Sequence, residues 1–210
     1  DLSAVGLVAV GPEQVEPVTI GFDYFRIDAG AGEEDTTAPT TELTLDPAEA
    51  DGENGWYVSA PTLTLSADDG DGSGVAITEY RLGDGDWTAY DEPVVLEDGD
   101  HEVSYRSTDQ AGNVEETGTT EVLVDTVAPE TSAEAVEEEA QTVITLTAVD
   151  ATSGVALTEV AVGDGDWTAY DEPLVVDAPG VSVVAFRSTD EAGLVEETQS
   201  VEVEIDPGEV

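Results

Sequence analysis

The sequence contains no cysteine, no methionine and no lysine, and it sets one histidine and four arginines against 50 acidic residues. Without cysteine, no disulfide bond can hold the fold together. The chain also lacks a Gly-x-Ser-x-Gly motif and a phosphate-binding glycine loop, so the residue types that usually supply nucleophiles and general bases are scarce. We therefore predict that the chain is not an enzyme.

The shortage of positive charge leaves a formal net charge of −46. Self-repulsion at this charge destabilises a compact state, and it is relieved where salt shortens the Debye length, to about 3 Å at 1 M. The composition therefore predicts a halophile's protein that needs molar salt or a divalent cation to fold. Nucleic acid is excluded as a partner, because such binding gains its affinity from neutralised phosphates.

Long hydrophobic runs are absent too, and no stretch approaches the about 20 apolar residues of a membrane span. We expect no membrane insertion. Disorder is the other interpretation of so acidic a chain, but 40% of the residues are apolar and they alternate with polar ones. That alternation favours folded β-structure.

An identical eleven-residue string occurs at Gly83–Pro93 and at Gly163–Pro173, eighty residues apart. A unit of this length exceeds the repeats of solenoids and propeller blades and matches a self-contained β-sandwich. The alternation in the first copy predicts seven strands, lettered in immunoglobulin order as A (Thr41–Leu45), B (Thr62–Ala67), C (Ala76–Leu82), C′ (Trp87–Tyr90), E (Val94–Leu96), F (Glu102–Thr108) and G (Glu116–Val124).

Apolar residues at matching positions of the two copies predict the cores. In the first copy they are Leu63, Leu65, Ala67, Tyr80, Leu82, Val103, Tyr105, Val122 and Val124. In the second they are Ile144, Leu146, Ala148, Val160, Val162, Val184, Phe186, Val203 and Ile205. A shift of one residue in strand register would expose each of these sets to solvent. Agreement between two diverged copies therefore supports this assignment of core positions.

Before the repeats, Leu2–Val10 and Val18–Ile27 have the pattern of a β-hairpin. So short a segment buries no core of its own, so it must pack on the next domain, complete a domain or pair with another chain's sheet edge. The fold class predicted is all-β, with two tandem immunoglobulin-like β-sandwiches preceded by a β-hairpin. The predicted boundaries are 1–34 for the hairpin and linker, 35–125 for the first domain and 126–210 for the second.

Short motifs recur in both copies outside the identical string. They are Asp35–Pro39, Ser73–Val75 and Arg106–Val114 in the first copy and Asp125–Pro129, Ser153–Val155 and Arg187–Leu194 in the second. In these motifs the chain resembles the bacterial and archaeal Ig-like repeats of secreted or surface proteins, including leptospiral outer-membrane and glycoside-degrading proteins. The resemblance covers about residues 35 to 206 and implies an extracellular or cell-surface, non-catalytic module. Separately, the hairpin resembles the closing strands of concanavalin-like jelly rolls.

Immunoglobulin topology places the entering linker and the B–C and F–G loops at the same end of a sandwich. This predicts two clusters of three carboxylates, Asp35, Asp69 and Asp109 in the first repeat and Asp125, Asp150 and Asp190 in the second. Such oxygen ligands suit Ca²⁺. The other interpretation is that Asp109 and Asp190 only hydrogen-bond their own turns, while Asp35 and Asp125 are solvated linker acids.

Arg106 and Arg187 lie at equivalent positions of the predicted F strands. In the alternating pattern of each strand they fall on the face opposite to that of the core residues. Glu79 beside Arg106, and Glu159 beside Arg187, are predicted to form cross-strand ion pairs on the outer sheet face. The alternative is an exposed arginine that recruits an anionic partner.

The repeated string also supplies aromatic pairs, Trp87 with Tyr90 and Trp167 with Tyr170. Each pair is a candidate platform for sugar rings. The simpler interpretation is a turn followed by a short strand whose tryptophan closes the edge of the sandwich.

Three functions follow from these features. The first is a structural spacer in an extracellular or cell-surface protein of a halophile, with Ca²⁺ at the domain junctions. The second is a filament subunit that assembles by β-strand donation from the N-terminal segment. The third is a carbohydrate-binding accessory module of a secreted glycan-degrading enzyme. The expected partners are other domains of the same protein or neighbouring copies, and glycans in the third case.

Overall fold

The computed structural model describes residues 34–206, which form strands and loops without a helix. These residues therefore include no helix long and apolar enough to cross a membrane. The predicted hairpin at Leu2–Ile27 lies outside the described residues, as do residues 207–210. Both repeats belong to one compact unit, which begins at Asp35.

The first repeat folds into a sandwich of two sheets, with strand orders β1-β3-β6 and β2-β8-β7-β4-β5. Its strands are β1 (Thr40–Asp46), β2 (Trp56–Tyr57), β3 (Thr62–Asp68), β4 (Val75–Leu82), β5 (Thr88–Ala89), β6 (Val94–Val95), β7 (Gly99–Asp109) and β8 (Gly118–Val124). All pairings are antiparallel except that of β2 with β8.

The second repeat folds in the same way, with strand orders β13-β10-β9 and β12-β11-β14-β15. Its strands are β9 (Glu130–Glu137), β10 (Thr142–Val149), β11 (Val155–Val162), β12 (Thr168–Ala169), β13 (Leu174–Val176), β14 (Gly180–Asp190) and β15 (Gln199–Ile205). Two immunoglobulin-like sandwiches in series therefore make up the described part of the chain, as the sequence predicts.

Each sandwich has its own core between its two sheets. Leu63 and Val103 in the first, and Ile144 and Val184 in the second, have no exposed surface. Tyr80 and Tyr105 pack partly buried against the first cluster. The alternating pattern thus assigned the inward face of the central strands correctly.

Two predicted core residues are wrong. Leu82 and Val162 are 36% and 41% exposed. Each is the last residue of its strand, next to the turn that begins at Gly83 or Gly163. Both residues are in phase with the core residues of their strands. They are exposed because little of the opposite sheet covers the end of the strand.

Strand β2 was not predicted. Trp56 and Tyr57 pair in parallel with Leu123 and Val124 of β8, and the Tyr57 side chain is 7% exposed in the first core. The segment around them is rich in Gly, Asp, Glu and Asn, a composition typical of loops. A strand of two residues is too short to show an alternating pattern, so the sequence does not predict it.

Candidate metal centres

The three predicted aspartates of the first repeat lie together at one end of its sandwich. Asp35 precedes β1, Asp69 follows β3 and Asp109 ends β7. One carboxylate oxygen from each lies within 4.8 Å of the other two. The strand connections of the fold bring the three together, since the residues are far apart in sequence.

The second repeat repeats this arrangement with Asp125, Asp150 and Asp190, whose carboxylate oxygens also lie within 4.8 Å of one another. Asp125 has no exposed surface and Asp190 is 1% exposed. These are the two groups of three or more acidic or histidine side chains found with this spacing in residues 34–206.

Turn amides orient the linker aspartate of each cluster. The amide of Ser73 donates to Oδ2 of Asp35 at 2.7 Å, and the amide and hydroxyl of Thr37 donate to Oδ1 at 3.1 and 2.9 Å. These bonds, led by the one from Ser73, hold the pKa of Asp35 well below its usual range. In the second cluster, Asp125 Oδ2 accepts from the amide of Ser153 at 3.0 Å.

The third aspartate of each cluster accepts hydrogen bonds within its own F–G loop, as the alternative interpretation also expects. Asp109 Oδ1 accepts from the amide of Asn113 at 2.7 Å, and Asp190 Oδ1 accepts from that of Leu194 at 2.8 Å. A glycine with φ near +90°, Gly193 in the second repeat, permits the turn. In Asp109 the Asn113 side chain also donates to Oδ2, whereas Asp190 accepts this turn bond through Oδ1 alone.

The other oxygen of Asp190 is buried and has no hydrogen-bond partner. Burial raises the pKa of Asp190, and the charges of Asp125 and Asp150 raise it further. A buried carboxylate oxygen without a donor is costly, and it is compensated when a cation takes the donor's place. Three converging hard oxygen ligands are the donor set that Ca²⁺ prefers.

A buried polar network that the sequence analysis missed anchors both F–G loops. The Glu115 carboxylate accepts from the amide of Thr41 at 2.9 Å and from the Thr41 hydroxyl, and that hydroxyl also lies 2.7 Å from Ser107 Oγ. Glu196, Thr131 and Ser188 repeat the arrangement in the second sandwich. The identical string Val-Glu-Glu-Thr at 114–117 and 195–198 is the sequence signal that marks these glutamates.

The predicted cross-strand partners lie opposite each other. Arg106 Nη2 is 3.2 Å from Glu79 Oε2, and Arg187 Nη2 is 2.9 Å from Glu159 Oε2. All four side chains are partly exposed on the outer face. This position agrees with the register that pairs each glutamate with its arginine.

Each tryptophan of the repeated string lies against one of these arginines. The guanidinium carbon of Arg106 is 4.1 Å from the centroid of the Trp87 ring, and that of Arg187 is 4.4 Å from Trp167. Arg81, which has no equivalent arginine in the second repeat, is 5.1 Å from Trp87. The arginines and tryptophans, predicted to act separately, thus form cation–π contacts, two in the first repeat and one in the second.

The tyrosines of the predicted sugar platforms are elsewhere. Tyr90 packs against the first core and makes an edge contact with Tyr80 at a centroid distance of 6.4 Å. Tyr170 packs against the second core, where its hydroxyl accepts from the amide of Leu146 at 3.0 Å. The structure does not bring either tryptophan and its tyrosine together as one exposed aromatic surface.

The first sandwich contacts the second through the A–B loop, residues 47–61, which joins β1 to β3. The amide of Glu53 donates to the carbonyl of Ala192 at 2.8 Å, and the side-chain amide of Asn54 donates to the carbonyl of Glu191 at 2.8 Å. Ala192 is 1% exposed. The loop therefore lies directly on the F–G loop that begins after Asp190.

Two sheets enclosing one core, repeated in series, define residues 34–206 as tandem immunoglobulin-like β-sandwiches. Residues 28–126 match the family model of the bacterial Ig-like domain. The predicted resemblance to bacterial Ig-like repeats is thereby confirmed. No curated protein matches the chain.

Solved structures of β-sandwich modules are also similar to this chain. The fibronectin(III)-like modules of Clostridium thermocellum CbhA share 16% identity, over 79% of this chain and 94% of theirs, with a TM-score of 0.33. The D00–D0 domain of intimin shares 14% identity, over 76% of this chain and 98% of its own, with a TM-score of 0.38. Similarity at this level places no constraint on function.

Proposed function

We propose that this chain is a non-catalytic spacer of an extracellular or cell-surface protein of a halophile, in which Ca²⁺ at the domain junctions stiffens the series of sandwiches. The observation that carries the proposal is the position of Asp125. Its backbone amide donates to the Tyr57 carbonyl of the first sandwich at 2.9 Å. Its carboxylate accepts from Ser153 of the second and belongs to the second acidic cluster.

A residue shared in this way transmits orientation from one sandwich to the next. A cation held by Asp125, Asp150 and Asp190 would join the end of β8 to two loops of the following sandwich. The hydrogen bonds from the A–B loop to Glu191 and Ala192 support the same junction from another side. A spacer requires a fixed angle between its domains, and these contacts would supply it.

The family match supports the extracellular or surface location, since bacterial Ig-like domains are typical of such proteins. The charge supports a saline environment. With −46 formal charges on 210 residues, the folded state depends on counterions to reduce repulsion between its own carboxylates.

Spin labels test the stiffening directly. Because the chain has no native cysteine, only the introduced cysteines are labelled. Cysteines introduced at the exposed positions Ser66 and Ser200 place one label on each sandwich. In molar KCl we expect pulsed electron resonance to give a narrow distance distribution with Ca²⁺ and a broader one with chelator. Identical distributions in the two conditions would contradict stiffening by Ca²⁺.

Two variants with the same change of charge make the test specific. Asp190→Asn replaces a charged cluster ligand with a neutral amide, which binds cations more weakly, whereas Asp164→Asn changes an exposed acid in the Gly-Asp-Gly-Asp turn. We expect Asp190→Asn to keep the broad distribution at Ca²⁺ concentrations that narrow it in the unmodified chain. Asp164→Asn should respond to Ca²⁺ as the unmodified chain does, and loss of its response would show that net charge, and not the cluster, is responsible.

The salt requirement has a separate test. Circular dichroism should show the β-sheet spectrum in molar KCl and its loss after dialysis into low salt with chelator. A full β-sheet spectrum retained in low salt with chelator would refute the halophilic part of the proposal.

A further inference from the structure

We propose that one residue in each F–G loop, Asn113 in the first repeat and Leu194 in the second, sets the cation affinity of its cluster and makes the second cluster the tighter site. This inference rests on the proposed Ca²⁺ function. It concerns side chains four residues after the third aspartate, which the proposed function does not involve.

In the first repeat the side chain of Asn113 donates to the carboxylate oxygen of Asp109 that the turn leaves unused. Its amide nitrogen donates to Asp109 Oδ2 at 2.7 Å and to the backbone carbonyl of Asp35 at 3.1 Å. Asp109 Oδ1 is already taken by the Asn113 backbone amide. A cation at Asp109 Oδ2 would have to share that oxygen with this side-chain amide or displace it, and hydrogen bonds to a charged group are among the stronger ones.

In the second repeat the same position holds a leucine, which has no donor. Leu194 keeps the backbone bond to Asp190 Oδ1, at 2.8 Å. Asp190 Oδ2 is left buried without a partner. Binding a cation there breaks no hydrogen bond of Asp190 and removes the cost of an unpaired buried charge.

The other two carboxylates of each cluster accept a turn amide at matching positions, and in the first cluster Asp69 Oδ1 is also buried without a hydrogen-bond partner. Asp35 and Asp125 accept from Ser73 and Ser153 at 2.7 and 3.0 Å. Likewise, Asp69 accepts from the amide of Gly74 at 2.6 Å and Asp150 from that of Gly154 at 2.7 Å. The A–B loop and the unpaired Asp69 oxygen also distinguish the two sites, but an exchange of side chains at 113 and 194 leaves both unchanged.

Reciprocal substitutions test the inference, with Ca²⁺ itself as the probe and the full chain in molar KCl. Isothermal titration would measure each cluster by itself, in a background where Asp69→Ala disables the first or Asp150→Ala disables the second. We expect the second cluster to bind about tenfold or more tightly than the first, from the loss of one or two charged hydrogen bonds.

Exchange of the side chains should reverse the order. Asn113→Leu should tighten the first cluster, and Leu194→Asn should weaken the second, each by about tenfold. Leu194→Ala, which adds no donor, is the matched control and should retain tight binding. If circular dichroism shows that Leu194→Asn does not fold, the Ca²⁺ affinities of Asn113→Leu and Leu194→Ala still test the inference.

The outcomes separate the two proposals. Absence of Ca²⁺ binding in both backgrounds would overturn the junction sites themselves, and this inference with them. Binding at both clusters with affinities that the substitutions leave unchanged would overturn only the inference. Weaker binding in Asn113→Leu would also overturn it, because the asparagine would then be a ligand that presents its carbonyl oxygen.

Discussion

The two sandwiches share their strands and their aspartate clusters but differ in the connection between the first two strands of each core. In the first, residues 47–61 join β1 to β3 and include β2. In the second, residues 138–141 join β9 to β10 directly. The longer connection covers the edge of β8 at Leu123 and Val124, whereas β15 ends the strand order of its sheet among the described residues.

This difference shows where two copies of one fold became unlike each other. The A–B loop of the first sandwich contacts Glu191 and Ala192 of the second. As a result Ala192 is 1% exposed, while Ala111, at the same position of the first repeat, is exposed. The contact between the sandwiches is built by the A–B loop, for which the second sandwich has only the short connection at 138–141.

The largest expected effect removes the aromatic anchor that only the first sandwich has. Tyr57 is 7% exposed among the core residues of that sandwich, so Tyr57→Ala should lower its free energy of unfolding by about 2–4 kcal/mol. Hydrogen exchange read by mass spectrometry resolves the two sandwiches, and the loss should be confined mainly to the first. The neighbouring change Trp56→Ala should cost less, because Trp56 is only half-buried. Equal loss in both sandwiches would contradict the comparison.

A smaller effect is expected where the loop touches the second sandwich. A Cβ on Gly52 would lie 2.7 Å from the carbonyl oxygen of Ala192 and from Cγ1 of Val58. Gly52→Ala should therefore separate the two surfaces, at a cost of about 1–3 kcal/mol. Small-angle scattering should show a wider range of interdomain angles. Glu49→Ala, an exposed change in the same loop, should leave the scattering unchanged, and an effect as large as that of Gly52→Ala would rule out the steric explanation.

Much of the fold can be predicted from the sequence because β-strands show a two-residue alternation of apolar and polar residues. Alternation over whole strands identified Leu63, Val103 and their counterparts as core. The convergence of Asp35, Asp69 and Asp109 follows from the strand connections of the fold, and the structure has their oxygens within 4.8 Å of one another.

The remaining features depend on single contacts, which leave no repeating pattern in the sequence. Tyr57 fills the first core from within a polar segment, and Leu82 is exposed because its strand ends there. The difference between Asn113 and Leu194 is visible in the sequence. Its meaning depends on which oxygen of Asp109 the amide reaches, and only coordinates give that.

A third prediction concerns the outer faces, where Arg81 beside Trp87 has Ala161 as its counterpart in the second repeat. Arg187→Ala removes both the ion pair with Glu159 and the contact with Trp167. We expect it to destabilise the second sandwich by about 0.5–1 kcal/mol.

Arg106→Ala should cost the first sandwich less, because Arg81 still lies beside Trp87. Hydrogen exchange in low and high KCl, with Ca²⁺ present, compares the two variants. A greater loss from Arg106→Ala than from Arg187→Ala would show that Arg81 does not compensate.

The smallest expected effect tests what holds the A–B loop in shape. Asp51 Oδ1 accepts from the amide of Val58 at 2.9 Å and from that of Ser59 at 3.3 Å. Hydrogen bonding, led by the Ser59 side chain, lowers the pKa of Asp51 below its ordinary 3.8. A lowered folded-state pKa means that this carboxylate stabilises the fold above pH 3.8 and that the contribution is lost as pH falls through the lowered value.

The difference in melting temperature between the unmodified chain and Asp51→Asn should therefore be present at about pH 5 and shrink towards about pH 2. Glu49→Gln makes the same change of charge in the same loop and serves as the control. A difference that is constant across this range would mean that the charged form of Asp51 does not hold the loop. Strand β2 and Tyr57 would then suffice to present Glu53 and Asn54 to the second sandwich, and the contact between the sandwiches would persist in acid.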